Sequence, residues 1–362
     1  MARIDFDAIA HSYAPHPRGP QDYALKPLHF AFEDGGAYAL LGPSGCGKTT
    51  LLNIISGLLQ PSEGQVRFDG RDVTRLTPGQ RNIAQVFQFP VIYDTMTVGE
   101  NLAFPLRNRG VAAAQIRART AEVAAMLDLE PLMGRRAAGL TADQKQKISL
   151  GRGLVREDVA AILFDEPLTV IDPHLKWLLR RKLKEVHTRF HHTLVYVTHD
   201  QNEALTFADK VVVMYEGEVV QLGTPQDLFE RPMHRFVGYF IGSPGMNFLP
   251  CQLDGDGVRI EGTDAVLGEH WHKAASEVPN AKLELGVRPE FVGVTDRADA
   301  TSLPAEVERV EDLGTYKLVT ARVGPHAIKA KLAEDAAVPG GAAYLSFRPA
   351  RTLLYADGRL IG

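Results

Sequence analysis

Apolar and polar positions follow two regimes along this chain. In the first, short apolar runs alternate with longer helical stretches. Residues 3–9, Arg-Ile-Asp-Phe-Asp-Ala-Ile, alternate as a half-buried strand does. A Pro/Gly-rich loop from Ala14 to Gln21 follows, and Leu28 to Phe32 resumes a strand. Ala37 to Leu41 is a continuous apolar run, the profile of a strand buried on both faces, and Leu51 to Ile55 reads as the first turns of a helix. Gln65 to Phe68 and Asn82 to Gln88 predict two more strands. Residues 97 to about 156 are Ala- and Arg-rich with few strand signals, which predicts an inserted helical subdomain. Strands resume at Ala160 to Phe164 and at Thr193 to Thr198, and Lys210 to Leu222 reads as a hairpin around Glu216-Gly217. Between them Pro173 opens a helix with Leu175, Leu178, Leu179, Leu183 and Val186 on one face and basic residues on the other, a solvated face with no nucleic-acid role. Strands alternating with helices predict an α/β core with a parallel sheet.

The second regime begins near Gly242-Ser243-Pro244-Gly245, which reads as a linker. Beyond it the runs Leu283–Val287, Phe291–Val294, Ala305–Val310, Lys317–Val323 and Ala343–Phe347 are short and separated by turn residues. That spacing predicts a small all-β domain, an OB-like barrel. The expected division is therefore residues 1–238 and 239–362, with the helical subdomain at about 91–156.

Composition narrows the function. The chain has 362 residues, 45% hydrophobic and 23% charged, enough for two ordinary cores. A net charge of −4 argues against a partner bound through a basic surface, so no nucleic acid is expected. Its two cysteines, Cys46 and Cys251, have no metal or redox spacing and fit a reducing compartment. No stretch of eighteen apolar residues occurs, so any membrane role is expected through a partner.

The chemistry concentrates at Gly42-Pro43-Ser44-Gly45-Cys46-Gly47-Lys48-Thr49-Thr50, which fits the phosphate-loop pattern G-x-x-x-x-G-K-[ST] between a strand and a helix. Glycines let the backbone wrap closely around phosphates, and the helix start adds partial positive charge. Lys48 is expected on the β- and γ-phosphates of ATP and the Thr49 hydroxyl on Mg²⁺. Asp165 and Glu166 end a buried strand expected beside this loop. The first is a candidate for the Mg²⁺ shell, the second for holding the attacking water. Gln88 and His199 end strands at the same edge.

With these residues in place, the chain resembles the ATP-binding subunit of a bacterial ABC (ATP-binding cassette) importer of the sugar and polyol class, over essentially its whole length. The resemblance implies an ATPase coupled to transmembrane transport, with Gly42–Thr50 as Walker A, Gln88 as the Q-loop residue touching nucleotide and Mg²⁺, Ile162 to Glu166 as Walker B, Asp172 as the D-loop acid and His199 as the switch histidine. Tyr13 is similar to the aromatic that stacks on adenine, with Tyr23 a lesser candidate. Glu166, His199 and Lys48 are the expected catalytic set. Gly286 to Glu290 and Phe347 to Pro349 look like the regulatory β-domain of this branch. The implied partners are two transmembrane permease subunits, a second ABC ATPase subunit and, indirectly, a solute-binding protein, at the cytoplasmic face of the bacterial inner membrane. Residues 146–153 with Leu168 to Pro173 resemble one of two ATPase chains of glycerol importers, so glycerol is the expected solute, with another carbohydrate or glycerol-3-phosphate as alternatives.

One departure stands out. The family signature L-S-G-G-Q, which binds the γ-phosphate held by the other subunit, is here Leu140-Thr141-Ala142-Asp143-Gln144. Thr141 and Gln144 form a capping-box pattern for the helix that follows. Asp143 favours the free helix start by about 0.3–1 kcal/mol. At about 6 Å and an effective dielectric near 20 it opposes each unit of phosphate charge by roughly 3 kcal/mol, so repulsion wins unless the carboxylate turns away. Ala142 also forfeits the close backbone approach that Gly allows. A heterodimer is therefore expected, in which this chain's Walker site is completed by a partner with a good signature; self-pairing and a regulatory subunit with one degenerate site are the alternatives.

Overall fold

The computed structural model describes residues 2–169, 171–255, 257–267, 271–298 and 302–362. Val170, quoted above within the resemblance, lies outside them. The chain divides into two compact units, Met1–Pro225 and Gln226–Gly362.

The first unit holds two sheets. β1 (Ile4–Ser12) pairs antiparallel with β2 (Tyr23–Phe32) and with β4 (Glu63–Phe68), and β5 (Arg71–Asp72) completes that sheet. The central sheet runs β10-β9-β3-β8-β7-β6. Here β3 is Ala37–Leu41, β6 Ala84–Val86, β7 Ile162–Asp165, β8 Leu194–Thr198, β9 Lys210–Tyr215 and β10 Glu218–Gly223. All pairings in it are parallel except the β9–β10 hairpin. Glu216 and Gly217 both take positive φ, as a two-residue hairpin turn requires. Between the two sheets α1 (Lys48–Ser56) packs with Leu51, Leu52, Ile54 and Ile55 buried. The helical insertion carries α2 (Val98–Arg107), α3 (Ala113–Met126) and α4 (Ala142–Leu154), and α5 (Pro173–Phe190) begins at its proline as expected.

Two local expectations change. The strand expected over Asn82–Gln88 is only Ala84–Val86, because Asn82 sits in the left-handed region and the Phe87 carbonyl turns out of the ladder to accept from the Gln146 side chain. Nor is β7 the neighbour of the phosphate-loop strand. β8 lies between them, and α1 crosses over to pack on β7.

The second unit contains a six-stranded sheet and a five-stranded sheet that share one core, including Leu249, Ile260, Leu285, Val319, Ile328 and Leu345. The expected runs at 283–287, 317–323 and 343–347 are strands, with further ones at Asn247–Asp254, His326–Ala333 and Thr352–Ala356. The division at 225/226 precedes the expected 238/239. The reason is Arg288, whose fully buried guanidinium donates to the carbonyls of Leu228, Phe229 and Ile241 and lies 4.1 Å from the Phe229 ring centre. Residues 228–241 are thereby bound into the β unit.

Candidate active site

The loop between β3 and α1 is shaped by two glycines that tolerate nothing larger. A Cβ on Gly42 would stand 2.2 Å from the Met214 carbonyl oxygen. Gly47 caps α1 at φ +99°, and a Cβ there would meet the Ala24 carbonyl oxygen at 2.6 Å. The loop N–H groups and the start of α1 converge on a cavity of about 410 Å³ lined by Tyr13, Ala24, Ser44, Gly45, Gly47, Lys48, Thr49, Thr50 and Glu166. Eight of these nine were expected from sequence; Ala24, on β2, carries no chemical signal that would have shown it.

Lys48 is buried, and its ammonium donates to the carbonyls of Gly42 at 2.8 Å and Pro43 at 2.9 Å. It is thus held at the loop mouth by main-chain oxygens. Cys46 contributes its backbone to the loop rather than an accessible thiol. Its side chain is buried, and burial pushes the thiol pKa up against the pull of Lys48. Tyr13 is 66% exposed, stands edge-on to His11 and bonds through its hydroxyl to Thr50 at 3.1 Å. That leaves a ring face beside the cavity. Tyr23 instead donates its hydroxyl to Glu63 at 2.6 Å, away from the loop.

Asp165 ends β7, and Glu166 follows with φ +46°. Burial raises the Asp165 pKa most, the neighbouring Glu166 charge raises it further, and Lys48 opposes both. Two acids sharing one nearby ammonium leave negative charge that suits a divalent cation beside Thr49. No group of three acidic, His or Cys side chains forms a metal cage among the described residues. His199 follows β8, between the loop strand and β7, and its Nδ1 lies 3.2 Å from Glu166 Oε2. The expected pair is therefore in contact. Gln88 is half-buried in the irregular segment after β6 and does not line the cavity. Asp172 is exposed at the start of α5, where its carbonyl accepts from Leu175 and Lys176.

At the signature position the predicted capping box is present. Thr141 caps α4, and its N–H donates to Gln144 Oε1 at 3.1 Å. Asp143 does not turn away to solvent. Its carboxylate accepts the Thr141 hydroxyl proton, so the hydroxyl that would face a phosphate is engaged within the chain. Ala142 is exposed beside it. Gln146, two positions on, lies in the stretch quoted for the importer resemblance but carries no site role there. Fully buried, it donates to the carbonyls of Phe87 and Pro167 and so ties α4 to the segments carrying Gln88 and Glu166.

A phosphate-gripping loop, a strand-end acid pair and a histidine reaching the second acid define a P-loop ATPase of the cassette type. The ABC transporter family model matches residues 25–169, the MalK OB fold domain residues 242–292 and the TOBE domain residues 285–354. The sn-glycerol-3-phosphate import ATP-binding protein UgpC of Salmonella typhi is 38% identical over 92% of this chain and 92% of its own. This chain belongs to the ABC transporter family, as an ATP-binding subunit of its sugar and polyol importer branch, and is an ATPase coupled to transport. Among solved structures, cbiO1 from Clostridium perfringens, part of the ABC transporter complex cbiONQ, is 26% identical with a TM-score of 0.57 and covers 63% of this chain and 90% of its own. The ATP-binding cassette MJ0796, in a dimeric post-hydrolysis state bound to ADP and Pi, is 27% identical with a TM-score of 0.54, covering 61% of this chain and 98% of its own.

Proposed function

We propose that this chain hydrolyses ATP on the face formed by Lys48, Thr49, Asp165, Glu166 and His199, at the cytoplasmic side of a bacterial inner membrane, and so powers uptake of a small polyol phosphate or a related polyol. The observation that carries the reading is the shared cavity of Lys48, Thr49 and Glu166. The loop amides and Lys48 bind the β- and γ-phosphates, and Tyr13 offers its ring to the adenine. Thr49 and Asp165 would hold Mg²⁺, which supplies charge neutralisation at the phosphates when bound. Glu166 orients water in line with the γ-phosphorus. His199, donating Nδ1–H to Glu166, holds that carboxylate and would stabilise charge developing on the γ-phosphate. The segment after β6 exposes Phe87, Phe89, Val91 and Tyr93, an apolar strip suited to the permease subunits on which closure would pull. No helix among the described residues is long and apolar enough to cross a membrane, which fits a peripheral subunit.

Glycerol itself is the weaker solute reading, since the UgpC relatives are named for sn-glycerol-3-phosphate import. The engaged Thr141 hydroxyl supports pairing with a second ATPase chain that brings an unaltered signature. In the complex of this chain with its permease partners, Glu166→Gln is expected to retain ATP and to lose turnover by 10²–10³-fold. Hydrolysis at the parent rate would remove Glu166 from the mechanism. Uptake of labelled sn-glycerol-3-phosphate against labelled glycerol by the same complex in vesicles decides the solute.

A further inference from the structure

Glu166, Pro167, Leu168 and Thr169 form a tight turn closed by the Thr169 N–H donating to the Glu166 carbonyl at 3.2 Å. Proline at the second position suits such a turn. The turn brings residue 169 back over the glutamate, and the Thr169 hydroxyl donates to Glu166 Oε2 at 3.2 Å. That is the same oxygen His199 Nδ1 reaches at 3.2 Å. Oε1 has no protein partner among the described residues. The backbone of Glu166 is itself fixed in the left-handed region, with its N–H donating to the Val197 carbonyl at 3.0 Å. The main chain and one carboxylate oxygen are thus held from three sides, and the other oxygen is free.

We propose that Thr169 is a positioning residue for ATP hydrolysis: its hydroxyl, with His199, fixes the Glu166 carboxylate by Oε2 and so leaves Oε1 as the oxygen that takes the attacking water. The proposal rests on the reading of Glu166 as the water-orienting acid. A carboxylate held by one donor alone can swing about its terminal torsion, which is broad and roughly two-fold. Misorienting a water-holding group by that motion lowers the rate of the chemical step without weakening nucleotide binding. Thr169 is not itself a lining residue of the cavity, and its contact with the site runs through Glu166.

The test is steady-state hydrolysis by the full chain in its permease complex, comparing Thr169→Val, which keeps the shape and removes the hydroxyl, with Thr169→Ser, which keeps the hydroxyl. Loss of one charge-assisted hydrogen bond predicts a fall in kcat of about ten-fold or more for Thr169→Val, with KM for ATP within about two-fold of the parent. Thr169→Ser is expected to hold kcat within about three-fold. In a Glu166→Gln background Thr169→Val is expected to add nothing, since the two act as a unit. Thr169→Ala, read the same way, replaces Thr169→Val if the valine variant fails to fold. Parent kcat in Thr169→Val, or equal losses in Thr169→Val and Thr169→Ser, overturns the proposal. If Glu166→Gln alone retains the parent rate, the reading beneath it fails instead.

Discussion

Two helix starts in the first unit, those of α1 and α4, differ in what occupies them. The start of α1 is lined by glycines, main-chain N–H groups and one ammonium held by carbonyls. Among the described residues no carboxylate takes a hydrogen bond from Lys48, whose ammonium donates to main-chain carbonyls. The start of α4 is capped by Thr141 and Gln144, and Asp143 accepts from the Thr141 hydroxyl. That capping stabilises the helix by about 1 kcal/mol, but it uses the donors a γ-phosphate would need and adds a charge of the wrong sign. The same dipole thus serves ligand binding at one end and helix stability at the other. A helix start binds an anion only if its own side chains leave the donors open.

The largest effect that would sharpen this contrast is at Asp165. Asp165→Asn is expected to lower ATP hydrolysis by more than about 10²-fold, since the strand-end acid proposed to hold Mg²⁺ loses its charge. The same change should raise the melting temperature of the nucleotide-free chain at neutral pH. The sign follows from the raised carboxyl pKa. The fold favours protonated Asp165, so the parent loses stability as pH rises through the carboxylate range, and the asparagine variant does not. The melting gain should vanish in acid, where Asp165 is already neutral; a gain independent of pH would break the electrostatic explanation.

A smaller effect is expected from Asp143→Gly. If the chain pairs with itself, removing the carboxylate should raise hydrolysis by roughly ten-fold, a conservative share of the repulsion at that distance. If a second ATPase chain supplies the working signature, the rate should stay within about two-fold. A fall in rate would contradict both readings of the α4 start. The smallest effect separates the two tyrosines. Tyr13→Ala should weaken ATP binding by about five-fold or more through lost stacking, whereas Tyr23→Phe should leave affinity unchanged. Equal affinities in parent and Tyr13→Ala, measured by titration of the nucleotide, would move the adenine elsewhere.

What could be read from the chain beforehand followed the kind of group involved. The loop glycines, Lys48, Asp165, Glu166 and the Thr141–Gln144 box announce themselves because each role demands a particular side chain at a fixed spacing. The unit boundary did not, because Arg288 anchors residues 228–241 through main-chain carbonyls, which every residue carries. The contact of Thr169 with Glu166 depends on a turn whose closing bond is also main-chain. The order of β7 and β8 likewise needed the crossing of α1 over the sheet, a long-range packing outcome absent from local pattern.

Hydrolysis by the assembled permease complex carrying Lys48→Ala tests the central claim most directly, because the proposed grip on the phosphates passes through that lysine whether the chain pairs with itself or with a second ATPase chain. The account predicts a rate at background with the complex still assembled. A rate equal to the parent would contradict it.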